Sequence, residues 1–268
     1  MHWHCHELFN RMPQGAVAGG IAVVIDVLRA STTIITALAN GAAGVLPVPT
    51  IDRARAVAEA AGAGSGTLLG GERGGLRIDG FDLGNSPLEY SRDRVAGRRI
   101  VITTTNGTAA VDASLAAAEV LVGGMVNRSA VASHARSLAR AHGTSRIHLV
   151  CAGTDGEVTE EDVLAAGAIL DAARRLPAAD GDALDPSATM ALEAFRGVVR
   201  GAGDRSAAIA AAFATSRGGR NLIELGMAGD LPAAAAIDSL AIVPRLVRGG
   251  RGTDATSGWL RADAEDRV

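Results

Sequence analysis

Asp26 closes the apolar run IAVVI and is followed by VLRASTT, so a carboxylate stands where a buried strand meets a polar helix start. In such a place the ionised form is costly unless a cation or several donors meet it. Two roles suit it, a metal ligand or a cap for the next turn. Arg29, with the amides and hydroxyls of Ser31, Thr32 and Thr33, makes either an anion cradle or an ordinary polar helix N-terminus. Glu72 and Arg73 sit inside GGERGG at 70–75, where glycines let the backbone approach a ligand closely, though the same run also suits a flexible turn. TTTNGT at 103–108 places the hydroxyls of Thr104 and Thr105, the amide of Asn106 and the turn residue Gly107 at another strand end; a β-turn with an N-cap reads equally well. Asp155 follows CAGT at 151–154 much as Asp26 follows its strand, and Thr159 to Asp162 spell a capping box whose Glu161 or Asp162 can also reach the site. Carboxylates for a cation, and hydroxyls, amides and arginine for oxygens, are the materials of oxyanion chemistry.

The familiar phosphate templates fail. Arginine supplies all 26 basic residues and lysine is absent, so a GK[ST] loop cannot be built. Asp26 is followed by Val27 and Leu28, which breaks a D-x-D motif. A cysteine-nucleophile phosphatase wants an arginine six residues after the cysteine, yet six after Cys151 stands Glu157. Cys151 therefore reads as a small buried residue. It and Cys5 sit in unlike contexts, which argues against a disulfide framework and for a reducing, cytoplasmic setting. His2, His4 and His6 alternate as one face of a strand would. Three imidazoles in line suit zinc, but an edge strand near the terminus is the simpler reading.

These residues need elements to hold them. In three places, around 21–33, 99–111 and 147–162, a β-branched run ends in a short polar loop that opens an Ala-rich helical pattern, which predicts strands feeding helix N-termini in an α/β fold. Further strands are expected at 44–48, 67–69 and 119–123, and helices over 31–39, from 51, after 127, and over 160–176, 187–200 and 206–216. The segment 70–90 is too Gly-rich for either state and reads as a functional loop ending in Ser86-Pro87-Leu88-Glu89, a helix start with a capping box. Strand, acid, polar loop and helix recur around Asp26 and Asp155, which predicts two related lobes of a three-layer α/β type, 1–125 and 126–247, facing each other across the site, with a frayed tail over 248–268. A chain of 268 residues with 48% hydrophobic content has ample material for this. A net charge of −3 without a basic run argues against nucleic acid or a membrane surface as partner. The N-terminus lacks a signal pattern, and the apolar run 16–27 is broken by Gly19, Gly20 and Asp26.

VVIDVLRASTTIITALANGA, GGERGGLRIDGFDLGNSPLEY, TTTNGTAAV, VCAGTDGEVTEEDVLAAGAI and GRNLIELGMAGDL occur in this order over most of 21–245. Together they resemble the 2-phosphosulfolactate phosphatases. The resemblance implies a two-part α/β fold and Mg²⁺-dependent hydrolysis of the phosphate ester of a small sulfonated hydroxy acid. It also implies that Asp26, Arg29, Glu72, Asn85, Thr105, Asn106, Cys151 and Asp155 lie in or near the site. The expected arrangement has Mg²⁺ on Asp26 and Glu72 with Asp155 as third ligand, and Arg29 on the remaining phosphate oxygens. Asp155 or Asp162 protonates the leaving alkoxide. The substrate is expected to touch Ser31, Thr32, Arg73, Asn85, Ser86, Thr104, Thr105, Asn106, Gly107 and Cys151, with Arg73 receiving the sulfonate. The partner is thus a small anionic phosphoester, and a homodimer is compatible with this reading. The alternatives are the same chemistry on another phosphorylated hydroxy acid and a non-catalytic anion-binding protein. The His-rich N-terminus and the region 177–217 depart from the resemblance.

Overall fold

β-Branched residues at 21–25, 99–103 and 146–151 form strands, and each hands the chain to a polar turn and then a helix. The computed structural model describes residues 1–62, 64–177, 179, 181–247 and 258–262. The chain runs β1 (His2–His6), β2 (Ile21–Ile25), α1 (Ala30–Ala39), β3 (Gly44–Pro47), α2 (Ile51–Ala61), β4 (Thr67–Arg73) and β5 (Leu76–Arg77). It continues with α3 (Arg92–Val95), β6 (Arg99–Thr103), α4 (Gly107–Ala113), β7 (Glu119–Val122), α5 (Arg128–Ala141), β8 (Arg146–Cys151) and α6 (Glu160–Ala173). After β9 (Ala183–Leu184) come α7 (Pro186–Val199), α8 (Arg205–Thr215), α9 (Arg217–Glu224), α10 (Asp230–Ala235), β10 (Pro244–Val247) and β11 (Trp259–Ala262).

The eleven described strands form one sheet in the order β5-β4-β6-β3-β11-β10-β7-β2-β8-β1-β9. It contains two parallel blocks, β4-β6-β3 and β7-β2-β8-β1. The antiparallel pair β10-β11 joins them, touching β7 through Arg245 and Leu121 and β3 through Leu260 and Val45. The fold is the expected mixed α/β type with helices on both faces. Two lobes are not seen: the sheet is continuous, and the block around β2 draws strands from both halves of the chain. Of the tail expected over 248–268, residues 248–257 and 263–268 lie outside the described residues. Residues 259–262 are a strand at the sheet's centre, because Leu260 is wholly buried between Val45 and Leu246 and its apolar burial outweighs the polar neighbours.

β2 shows how the layers are made. Its five residues are all buried, and alternation sends Ile21, Val23 and Ile25 into one core and Ala22 and Val24 into the other. The first core holds α5, α6, α7 and α8. The second holds α1 and α4. Gly167 on α6 is a contact device, since a Cβ there would meet the Ala191 carbonyl of α7 at 2.0 Å. The segment expected as a loop from residue 70 begins as strand instead. β4 continues through Gly70 and Gly71 to Arg73, paired with β6 as far as Gly71 and with β5 beyond it. Its glycines serve close approach: a Cβ on Gly70 would stand 2.4 Å from the Tyr90 hydroxyl, and one on Gly71, at φ 139°, 2.0 Å from the Thr103 carbonyl.

Candidate active site

β2 and β4 stand six places apart in the sheet order, which in a flat sheet is about 29 Å. Their ends nevertheless meet through the loop after β6, so the sheet is strongly coiled. The Glu72 carboxylate, at the end of β4, accepts from the Thr105 amide (2.8 Å) and hydroxyl (3.0 Å) through Oε1 and from the Gly75 amide (2.8 Å) through Oε2. Two residues on, Gly107 lies against Asp26: a Cβ at 107 would be 2.6 Å from Asp26 Oδ2 and 2.7 Å from Ala30 Cβ. The loop 105–107 therefore touches both carboxylates.

Asp26 Oδ1 accepts from the Ala30 amide at 3.3 Å, its backbone carbonyl from the Ser31 amide at 2.8 Å, and its own amide donates to Ser31 Oγ at 2.9 Å. Burial pushes its pKa up to about 7; the Ala30 amide opposes this, and the charges of Glu72 and Glu161 add to it. The two carboxylates share a polar cavity of about 430 Å³, lined further by Arg29, Gly74, Gly75, Asn85, Thr105, Asn106, Thr154 and Asp155. From the other side come Arg217, Gly218, Arg220, Asn221 and Glu224 of α9. Sequence reasoning did not single out these last residues: GRNLIELGMAGDL covers Arg220, Asn221 and Glu224, while Arg217 lies in the region 177–217 that departs from the resemblance.

The structure brings together Asp26, Arg29, Glu72, Asn85, Thr105, Asn106 and Asp155, and Gly107 abuts them. It places the remaining expected residues elsewhere. Ser31 and Thr32 turn their hydroxyls back onto the carbonyls of Val24 and Val27, so the expected cradle serves Asp26 and its own turn. Thr104 caps α4 by accepting from the Thr108 amide at 3.3 Å. Arg73 points away from the cavity and donates to the Glu72 carbonyl and to Thr103 Oγ1. Cys151 is fully buried beside Cys5, and this sulfur contact and burial push its thiol well up. Asp162 sits behind the cavity, where its oxygens accept from the amides of Val27 (2.8 Å) and Gly153 (3.0 Å) and tie the turns after β2 and β8 together. The Thr159 to Asp162 capping box is consequently not formed. Glu161 Oε1 holds the Gly218 amide at 3.1 Å.

Arg29 is buried and already engaged. It donates to Asp230 Oδ2 (2.8 Å), the Gly75 carbonyl (2.6 Å) and the Met227 sulfur (2.7 Å). The other Asp230 oxygen accepts from the Ser86 hydroxyl at 2.6 Å, so Ser86 bears on the site through Asp230. Ser86 also accepts from the Leu88 amide as a cap, but Glu89 reaches past the expected box to the Gly84 amide.

Asp155 is exposed, at φ 53° in a tight turn, and pairs with Arg217 at 2.8 Å. Among the described residues no three His, Cys, Asp or Glu side chains gather as a metal-binding group, so the expected third ligand is not beside the other two. Asp26 and Glu72 remain, with the buried Asn85 Oδ1, which has no hydrogen-bond partner. Two carboxylates and an amide oxygen are hard donors of the kind that suit Mg²⁺, which keeps several waters and takes one or two carboxylates together with phosphate oxygens. His4 and His6 instead stack on His148, within β1 and β8, and His4 also faces Asp185. Among the described residues no helix is long and apolar enough to cross a membrane.

A family model described as 2-phosphosulpholactate phosphatase matches residues 7–249. A protein of Deinococcus radiodurans named "probable 2-phosphosulfolactate phosphatase" is 45% identical over 242 residues, covering 90% of this chain and 92% of its own. Proteins with the same name from Symbiobacterium thermophilum and Thermotoga maritima are 40% and 38% identical, over 90% and 85% of this chain and 97% and 89% of theirs.

Proposed function

This chain belongs to the 2-phosphosulfolactate phosphatase family of phosphoric monoester hydrolases, and from that premise we propose that it hydrolyses 2-phospho-3-sulfolactate to 3-sulfolactate and phosphate with Mg²⁺ on Asp26 and Glu72. The observation that carries this reading is the pair of carboxylates from distant strands, brought into one polar cavity by a loop that touches both. When bound, the cation supplies charge neutralisation for the phosphoryl oxygens in an in-line displacement.

The chain's own residues supply position and donors. Asp230 and the Gly75 carbonyl fix the buried Arg29 guanidinium at the cavity wall, where its positive charge favours a bound phosphate. Asn106 offers a side-chain amide at the same wall. Thr105 and Gly75 aim the Glu72 carboxylate by donating to both its oxygens. Of the two acids expected to protonate the leaving alkoxide, Asp155 lines the cavity and Asp162 does not.

The test is phosphate release from 2-phospho-3-sulfolactate with Mg²⁺, after exhaustive chelation, and in Asp26→Asn and Glu72→Gln proteins. Turnover should need the metal and both carboxylates. Activity that survives chelation would remove the cation from the reaction, and a fully active Asp26→Asn protein would move the site elsewhere. A higher kcat/KM for phosphoglycolate would keep the reaction and change the substrate.

A further inference from the structure

We infer that Arg217, on the first turn of α9, selects for the substrate's sulfonate, and that Asp155 is its resting partner, which the sulfonate displaces. This rests on the reading of the cavity as a phosphoester site. The cavity wall carries the acids Asp26, Glu72, Asp155 and Glu224 and the arginines Arg29, Arg217 and Arg220. A substrate bearing phosphate, carboxylate and sulfonate entering such a wall needs cationic heads with little else to hold. Arg29 is not one: it is buried under Asp230, the Gly75 carbonyl and Met227. Arg73 is turned onto β6. Arg220 is tied to the Thr215 carbonyl at the foot of α9.

Arg217 differs from Arg29 and Arg73 in its exposure, and from Arg220 in already holding a carboxylate on the cavity wall. Its side chain is 46% exposed and contacts Asp155 Oδ2 through a single nitrogen, and the Asp155 side chain is 63% exposed. One-point pairs in water are weak, so an incoming anion replaces the carboxylate at little cost. Asp155 is itself an oxyanion on the cavity wall, and it marks the place where another oxyanion fits the guanidinium. The backbone beneath Arg217 is fixed, because the Gly218 amide donates to the buried Glu161 and a Cβ at 218 would meet that carboxyl at 2.1 Å. That amide is thereby spent, so the donors on this side are side chains, with Arg217 the one already paired with an oxyanion. The geometry also chooses between the two acid groups of the substrate. The phosphoryl end belongs at buried Asp26 and Glu72, and Arg217 stands at the exposed end. The sulfonate lies one carbon further from the ester oxygen than the carboxylate does.

The experiment compares kcat/KM for 2-phospho-3-sulfolactate and for 2-phospholactate, the same ester without its sulfonate, and measures 3-sulfolactate binding by calorimetry. Arg217→Gln should lower kcat/KM for the sulfonated ester by about ten- to a hundredfold, the worth of a charge-assisted contact, and change the other ester by less than about threefold. Asp155→Asn should tighten 3-sulfolactate by about two- to fivefold, since the competing carboxylate is gone. Equal losses on both esters in Arg217→Gln, or weaker 3-sulfolactate binding in Asp155→Asn, would overturn the inference. A wild-type protein inert on both esters would instead sink the phosphatase reading, and the calorimetric comparison of wild type with Arg217→Gln would then decide on Arg217 alone.

Discussion

Replacing Asp26 by Asn should separate stability from activity, with opposite signs. Burial raises the Asp26 carboxyl from 3.8 to about 7, so the folded, metal-free protein resists ionising it while the unfolded chain does not. At 1.36 kcal/mol per unit, the difference sets a ceiling of about 4 kcal/mol on what the charged carboxylate costs the fold above pH 7. The cavity admits water, so we expect about half of that, roughly 2 kcal/mol, to be recovered by Asn. The contribution is fully present below about pH 4 and is lost as pH rises toward 7. Asp26→Asn and wild type should therefore melt alike near pH 4, and the variant should melt about 5 °C higher at pH 8 in EDTA. The assay is a pair of thermal or urea melts across pH 4 to 8, read as the difference between the two proteins so that other carboxylates cancel. Phosphate release with Mg²⁺ should be abolished in the same preparation. A variant less stable than wild type at pH 8, or a difference that does not grow with pH, would refute the claim that Asp26 is held against its charge.

Three other substitutions probe the same wall. Glu72→Gln should also lose turnover but destabilise by about 1–3 kcal/mol, because an amide NH₂ must then face one of the donors from Thr105 or Gly75; a melt at or above wild type would show that these bonds do not form. Gly107→Ala removes no functional group, yet its methyl would stand 2.6 Å from Asp26 Oδ2, so phosphate release should fall at least tenfold, and half the wild-type rate would disprove the close fit. Cys151→Ser should cost about 1–3 kcal/mol in a urea titration, from a hydroxyl placed against Cys5 in an apolar core, while the folded enzyme keeps kcat; a collapse of kcat with an unchanged melt would return the thiol to the chemistry.

Local chemistry was readable from the sequence, and long-range placement was not. IAVVID announced a two-faced buried strand with an acid at its end because β-branching and burial act over neighbouring residues. GGER was misread for a physical reason. Its glycines suggested a loose loop, whereas they remove side chains where Tyr90 and Thr103 crowd the strand. Once 70–73 is a strand, alternation sends Glu72 and Arg73 to opposite faces, which is why one reaches the cavity and its neighbour does not. Asp162 carries a capping signature, but its carboxylate is long enough to reach Val27 and Gly153, partners fixed only by the sheet. Arg217 and Asp230 meet residues 62 and 201 positions away, and no pattern within a segment encodes such a meeting.

The antiparallel pair β10-β11 also bears on the order in which the molecule assembles. Glu72 and Thr105 come from one parallel block and Asp26 and Asp155 from the other, and the strands that weld the blocks into one sheet are 244–247 and 259–262, after every other strand in sequence. The β4-β6-β3 block closes over short crossovers, whereas the β2 block already joins His2 to Arg146 and Ile21 to Glu119, far apart in the chain. The weld must close loops that span much of the chain, the kind of contact that forms slowly. A folding intermediate with both blocks built and the weld open would hold nearly all its secondary structure but no assembled cavity, so the appearance of phosphate-releasing activity should trail the recovery of helix signal during refolding.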